Sequence, residues 1–237
     1  MKKALTILSL WISFAGFSQV NDFGIWTSLS AEYDFLERFS AHVSEELRFN
    51  ENATELGSYF TDLGLDYKLP VPGLRAGMNY RYVRRRAWND MYTGRSRWYM
   101  DLSYKRKLWK LTGIWRMRLQ TQNKTGLTDE DQPTASNYLR NRFTFKYNSE
   151  RRIRPFVYME FFTNLNTGLG DNIRFCGGLE FKQNELSNFE LFYLYQREYN
   201  LPDPGRNFVV GISYGLNLNT LFETAKSKPE TDSAPAN

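Results

Sequence analysis

His42 and Ser44 are the residues whose types and spacing come nearest to a reactive pair. In an extended segment residues two apart share a face, so an imidazole base would stand beside a hydroxyl, the minimum for acyl transfer. Glu46 continues that face and could orient the imidazole. Phe39, Ala41, Val43, Leu47 and Phe49 occupy the opposite face, with Glu45 the one misfit, so the pair stands on the polar side. The pattern is short, and the plain alternative is a histidine held in a hydrogen-bond network.

Other groups are narrower still. Arg84-Arg85-Arg86, followed by Trp88, is a cationic patch that could meet phosphates and acidic sugars, although a solvated loop is the plainer reading. Asp129-Glu130-Asp131 could attract Ca²⁺, but consecutive carboxylates lack the alternating spacing of a calcium loop. Cys176 is the single cysteine, which excludes an intrachain disulfide and a cysteine zinc site. No phosphate-cradling glycine loop, His/Cys cluster or nucleotide-binding βαβ unit is present. The sequence therefore calls for no cofactor and no metal.

The commonest chemical group is the guanidinium. Arg75, Arg81, Arg97, Arg116, Arg118, Arg140, Arg142 and Arg174 each fall on the polar beat of an alternating segment. They are the candidate anion contacts, since arginine pairs bidentately with carboxylate and phosphate. Asp62, Asp66, Asp101, Glu46, Glu180, Glu190 and Glu198 share those polar faces and could neutralise them.

These residues are positioned by strands. In Trp109–Gln122 the positions Trp109, Leu111, Gly113, Trp115, Met117 and Leu119 are apolar or small, and those between are polar apart from Ile114. Period-2 alternation of that length outruns the usual 5–6 residue strand of a soluble protein. It suits a transmembrane barrel strand, which needs about 9–11 residues. The pattern recurs from Ile25 to Leu218; it is ambiguous only at Phe156–Phe162, where just Glu160 interrupts an apolar run, and at Phe192 and Leu194. The mean hydropathy of −0.57 does not oppose a barrel, whose lumenal residues are polar.

The expected fold class is all-β: a transmembrane, antiparallel up-and-down β-barrel of 10–12 strands, outer-membrane type. About eleven alternating segments can be counted, whereas single-chain bacterial barrels have even numbers, so ten or twelve are expected. Segment 84–95 reads as a long loop and Leu69–Gly73 as a tight turn. If that turn is periplasmic, Asn123–Ser136 and Asn164–Asp171 lie outside. Tyr33, Tyr67, Tyr82, Trp88, Trp98, Tyr104, Trp109 and Tyr147 fall near strand ends, as in aromatic girdles at the water–lipid boundary. The soluble alternative, a sandwich or lipocalin-like barrel, rarely needs so many long strands with one greasy face.

Residues 1–18 read as a cleaved secretory signal: Lys2 and Lys3, an apolar stretch, then Gly16 and Ser18 before Gln19. Removing the two lysines lowers the formal charge from +5 to +3. Residues 19–218 form the barrel, and 219–237, rich in Lys, Glu, Pro and Ala without periodicity, read as a disordered periplasmic tail.

Several stretches in order, DFGIWTSLSAEYDF, EELRFNENATEL, NYRYVRRR, RWYMDLSYK, YLYQREYN and NFVVGISYGLNL, resemble the Bacteroidota proteins grouped as domain-of-unknown-function family 2490. The resemblance spans about Asp22 to Leu218, and the signal ending FSQ is similar to those of that phylum. It implies an outer-membrane barrel with no established activity, so no functional residue is carried over. The hydrophilic tail departs from the family pattern, and the last strand lacks the terminal aromatic residue that assembly machinery recognises.

The expected function is a monomeric structural or accessory protein of the outer membrane, possible subunit of an envelope assembly, with Arg/carboxylate pairs filling the lumen. The alternative is a narrow, porin-like, anion-preferring channel for acidic solutes. The third is a lipid-modifying hydrolase using His42 and Ser44. Outer-membrane phospholipases and lipid A deacylases share that pattern, but they present it to lipid, whereas His42 and Ser44 face the lumen. Expected partners are outer-membrane lipid and lipopolysaccharide, the barrel-assembly machinery during insertion, and other envelope proteins; nucleic acid is not among them.

Overall fold

The computed structural model describes residues 21–87, 89–125, 135–149, 152–183, 186–201 and 204–220. The expected signal peptide, Trp88, the Asp129–Asp131 run and residues 221–237 lie outside them. Eleven strands follow in order: β1 (Asn21–Asp34), β2 (Phe39–Asn50), β3 (Glu55–Lys68), β4 (Leu74–Arg86), β5 (Tyr92–Leu108), β6 (Leu111–Thr125), β7 (Ser136–Tyr147), β8 (Ile153–Asn164), β9 (Leu169–Lys182), β10 (Ser187–Glu198) and β11 (Arg206–Asn217). Each pairs with its chain neighbours, and β1 pairs with β11 to close the barrel. At 12–17 residues every strand can cross a hydrocarbon layer at a tilt.

Among the described residues the count is eleven, not ten or twelve, and the closure shows why an odd number is possible. An odd set of up-and-down strands sends the first and last in the same direction. β1 and β11 accordingly pair in parallel over twelve positions, from Asn21↔Arg206 to Glu32↔Asn217. The other ten pairings are antiparallel. A parallel ladder is slightly weaker per residue, and side chains reinforce this one. Ser28 Oγ donates to Ser213 Oγ at 2.7 Å inside the seam, and Asn219, the first residue of the expected tail, bonds the backbone of Asp34 at its end.

Alternation sets the facing. Leu63, Leu65, Met78, Met100, Leu119 and Val157 point outward and are more than half exposed, except Leu119 at 50%. Glu160 at 0% and Asp62 at 2% point inward. Exposed aliphatic and buried charged residues invert the polarity of a water-soluble protein and match an outer-membrane-type barrel. Several polar groups on the outer face pair with one another: Thr61 with Glu45 at 2.6 Å, Thr121 with Asn137 at 2.8 Å, Trp115 with Asn141 at 3.3 Å.

The lower rim carries the turns after odd-numbered strands, and the upper rim those after even-numbered ones. The 69–73 turn at the lower rim uses Gly73 at φ 84, and the two-residue 109–110 turn places Trp109 at φ 53, 86% exposed. Aromatic pairs ring both ends: Phe39–Tyr67 (4.7 Å) and Phe181–Phe189 (5.9 Å) below, Tyr59–Tyr92 (5.6 Å) and Tyr195–Phe208 (5.3 Å) above.

Segment 84–95 is not one long loop. β4 continues to Arg86 and β5 starts at Tyr92, leaving 87–91 as the connection. The three arginines prolong the alternation: Arg85 lines the lumen, Arg84 bonds the Tyr82 hydroxyl, and Arg86 pairs with Glu55 at 2.8 Å and Asp90 at 2.8 Å. The apolar run in β8 also resolves. Phe156, Tyr158, Glu160 and Phe162 face inward, where Phe156 joins Cys176, Leu194 and Val209 in a small core with Trp26, Tyr158 and Phe192 against it. Phe192 lies over Gly211, where a Cβ would overlap its ring.

Candidate functional site

Arginines on one strand find arginines on the next. Arg81 stands directly opposite Arg97, Arg116 opposite Arg142, and Arg118 opposite Arg140. Like charges placed directly opposite one another destabilise a sheet. Two devices offset this.

The first is a set of buried carboxylates. Glu160, from the middle of β8, accepts from Arg116 Nη2 at 2.9 Å, Arg140 Nη2 at 2.9 Å and Arg142 Nη2 at 2.8 Å, with Arg174 Nη1 at 3.8 Å. One fully buried carboxylate thus ties four guanidinium groups from β6, β7 and β9. Asp101 takes Arg118 bidentately, at 2.7 and 2.6 Å. Asp62 pairs with Arg81 and accepts the Tyr99 hydroxyl at 2.5 Å.

The second device is aromatic. Each of five arginines lies over an inward-facing ring: Arg48 over Trp26 (3.7 Å), Arg81 over Phe60 (3.9 Å), Arg118 over Tyr99 (3.7 Å), Arg140 over Phe162 (4.3 Å) and Arg142 over Tyr158 (4.2 Å). A ring face contributes about 0.5–2 kcal/mol to a cation above it, and it fixes the direction of a long side chain.

The cavity so formed, about 580 Å³, is lined by ten arginines, including seven of the eight read from the sequence. Arg75 is the exception. It sits near the lower rim and donates to Glu32 Oε1 at 3.2 Å. Three carboxylates, Glu46, Asp171 and Glu190, share the lining, and Asp62, Asp101 and Glu160 pair with its arginines. Ten arginines against six carboxylates leave an excess of four positive charges. A second cavity of about 250 Å³ shares Arg48, Arg85, Arg95 and Arg97 with the first and reaches Asp22, Asn50 and Ser58 at the upper rim.

Below the Glu160 cluster charge is balanced. Glu180 binds Lys146 at 2.8 Å and also Arg154, and Lys146 reaches Glu190 at 3.5 Å. A separate cavity of about 310 Å³, lined by Ser30, Glu32, Arg154 and Glu180 among others, opens near the lower rim.

His42 does not meet the partner expected of it. Its Nδ1 lies 3.2 Å from Asp66 on β3, while Glu46 accepts from Arg48 Nε at 2.6 Å. Arg48 is the stronger claimant because it is a fixed cation two residues along the same face. The imidazole lies over Gly64 beside Asn79, where a Cβ would collide with both. No hydrogen bond joins His42 to Ser44 among the described residues, and both face the lumen. Among the described residues no group of His, Cys, Asp and Glu could hold a metal ion.

The fold and the lumen define an outer-membrane-type β-barrel with a paired, cation-rich interior. The chain belongs to the family described as "Protein of unknown function (DUF2490)", whose model matches residues 23–207. No curated protein matches it in sequence. Among solved structures it is similar to the beta domain of the Bordetella autotransporter BrkA, with TM-score 0.42 and 9% identity over 72% of this chain and 78% of that one. It is also similar to OmpT, an outer membrane protein of Vibrio cholerae (0.40, 11%, 68% and 54%), and to the translocator domain of the Neisseria meningitidis autotransporter NalP (0.36, 12%, 74% and 73%).

Proposed function

We propose that this chain is an exported protein of the bacterial outer membrane whose barrel is closed at its waist, and that it serves there as a structural or accessory component. The observation that carries the reading is Glu160, fully buried among Arg116, Arg140, Arg142 and Arg174. Around that cluster Phe156, Leu194 and Phe192 occupy the lumen with apolar bulk. Salt pairs packed against aromatic rings stiffen the wall of the first cavity, which extends past them to Phe156 and Glu190 and is separate from the cavity near the lower rim. The inverted polarity of the wall supports the membrane location, and the long hydrogen-bonded circuit supports a durable scaffold.

Planar-bilayer recording tests this. The refolded chain should insert without steady ohmic conductance, and a stable open channel in the wild-type protein would contradict closure. A second reading, a narrow anion-preferring channel, is favoured by the excess of four positive charges. It requires steady current with an anion-sided reversal potential that Arg116→Gln or Arg118→Gln reduces. Hydrolysis through His42 and Ser44 gains no support from the geometry: Asp66 at Nδ1 could orient the imidazole, but no hydrogen bond joins His42 to Ser44 among the described residues, and the lipid lies on the other side of the strand.

A further inference from the structure

Most of the lumenal arginines have a carboxylate, but three at the upper end do not. Among the described residues no carboxylate lies within ion-pair distance of Arg85, Arg95 or Arg97. Arg97 donates only to Gln122 Oε1, at 3.0 Å from Nε and again through Nη2. The Nε of Arg95 is buried without a hydrogen-bond partner. All three line both the first and the second cavity.

Their spacing follows from the register. Arg95 and Arg97 are two residues apart on one face of β5, hence roughly 7 Å apart along the strand. Arg81, on β4, is directly opposite Arg97, and Arg85 is opposite Thr93, diagonal to Arg95. Arg81 is already paired with Asp62 and rests on Phe60, so it forms a charged floor. Arg95 and Arg97 are half-buried and Arg85 is exposed, and guanidinium groups crowded together without carboxylates repel one another unless a counter-ion completes them. The rings beneath the neighbouring arginines are already covered by cations, so recognition here is by charge and hydrogen bonding, not by stacking.

We propose that this upper vestibule is a binding site for a small polyanion, a solute bearing at least two phosphate or carboxylate groups within roughly 7 Å. Arg85, Arg95 and Arg97 hold its charged groups and the first cavity receives its body. A volume of about 580 Å³ lies within the usual range for small-molecule sites. The site adds to the closed-barrel reading a reason for the lumen to be cationic. It rests on that reading only in needing the vestibule to be inside a folded barrel.

The test uses the full mature chain refolded in detergent and titrated calorimetrically with sodium tripolyphosphate, then with citrate, at low ionic strength. Saturable one-to-one binding is expected, weakening as salt is raised. The double variant Arg95→Gln/Arg97→Gln should bind at least about tenfold more weakly, as loss of charge-assisted hydrogen bonds implies. Arg84→Gln, a charge at the same rim outside this lining, should leave binding unchanged. Retained heat-modifiable gel mobility shows that each variant is folded. No saturable binding to folded wild type, or equal weakening by Arg84→Gln, overturns the proposal. Bilayer recording is independent of it: a conducting barrel that binds tripolyphosphate defeats closure alone, and a silent barrel that does not bind defeats this site alone.

Discussion

Asn219 clasps Asp34 across the closing seam: its Oδ1 accepts the Asp34 backbone N–H at 2.7 Å and its Nδ2 donates to the Asp34 carbonyl at 2.9 Å. The side-chain amide extends the parallel β1·β11 ladder past its last backbone partners, Glu32 and Asn217. A barrel with an odd number of up-and-down strands has one such junction, and here it lies between β1 and β11.

Asn219→Ala should therefore destabilise the barrel by about 1–2 kcal/mol, since it leaves two backbone groups at the seam without partners. Urea unfolding in detergent, followed by tryptophan fluorescence, measures the change. Asn219→Asp retains the acceptor and should lose less.

Glu160→Gln should be far more damaging, by about 3–5 kcal/mol, because a neutral amide leaves four crowded guanidinium groups uncompensated. Removing one of the four cations, as in Arg116→Gln, should cost less than that. The same unfolding assay ranks the two, and a milder effect for Glu160→Gln would show that the cluster does not hold the waist.

Glu45 lies on the outer wall opposite Leu29 in the β1·β2 register, with Val43, Leu47 and Leu63 exposed nearby. A carboxylate facing hydrocarbon is unfavourable, less so than a cation at the midplane. Glu45→Gln keeps the Thr61 hydrogen bond and should raise stability in lipid by roughly 1 kcal/mol. Unchanged or lower stability in vesicles would mean that this wall is not lipid-facing at that depth.

The odd count fixes the topology of the ends. β1 starts at the upper rim and β11 finishes at the lower one, so tags placed before Asn21 and after Thr220 should fall on opposite sides of the membrane. Protease shaving of intact cells should remove one and spare the other; removal of both or neither contradicts eleven strands.

Much of this was legible in the chain. Period-2 alternation gave the strands and the facing of Arg116, Arg118, Arg140 and Arg142, because a closed wall has one apolar and one polar side. It failed where the inside is apolar too. Phe156 and Phe162 blurred β8, yet Phe162 is the platform under Arg140, and Leu194 is core. Arg85 and Arg95 were hidden in an apparent loop, because a basic run ending in aromatic and small residues looks like a break when the strand continues through it. Which carboxylate would meet which arginine was not legible. Glu160 gathers partners from three strands, and Asp66, not Glu46, reaches His42, through cross-strand register that spacing along one strand does not encode.

The central claim is that one face of every strand meets hydrocarbon and the other a sealed polar interior. Single-tryptophan variants keeping either Trp98, exposed on the outer wall, or Trp26, beneath Arg48 in the lumen, test it in vesicles whose acyl chains carry bromine. Strong quenching of Trp98 with little of Trp26 is the predicted result; equal quenching of both, or quenching of Trp26 alone, would contradict it.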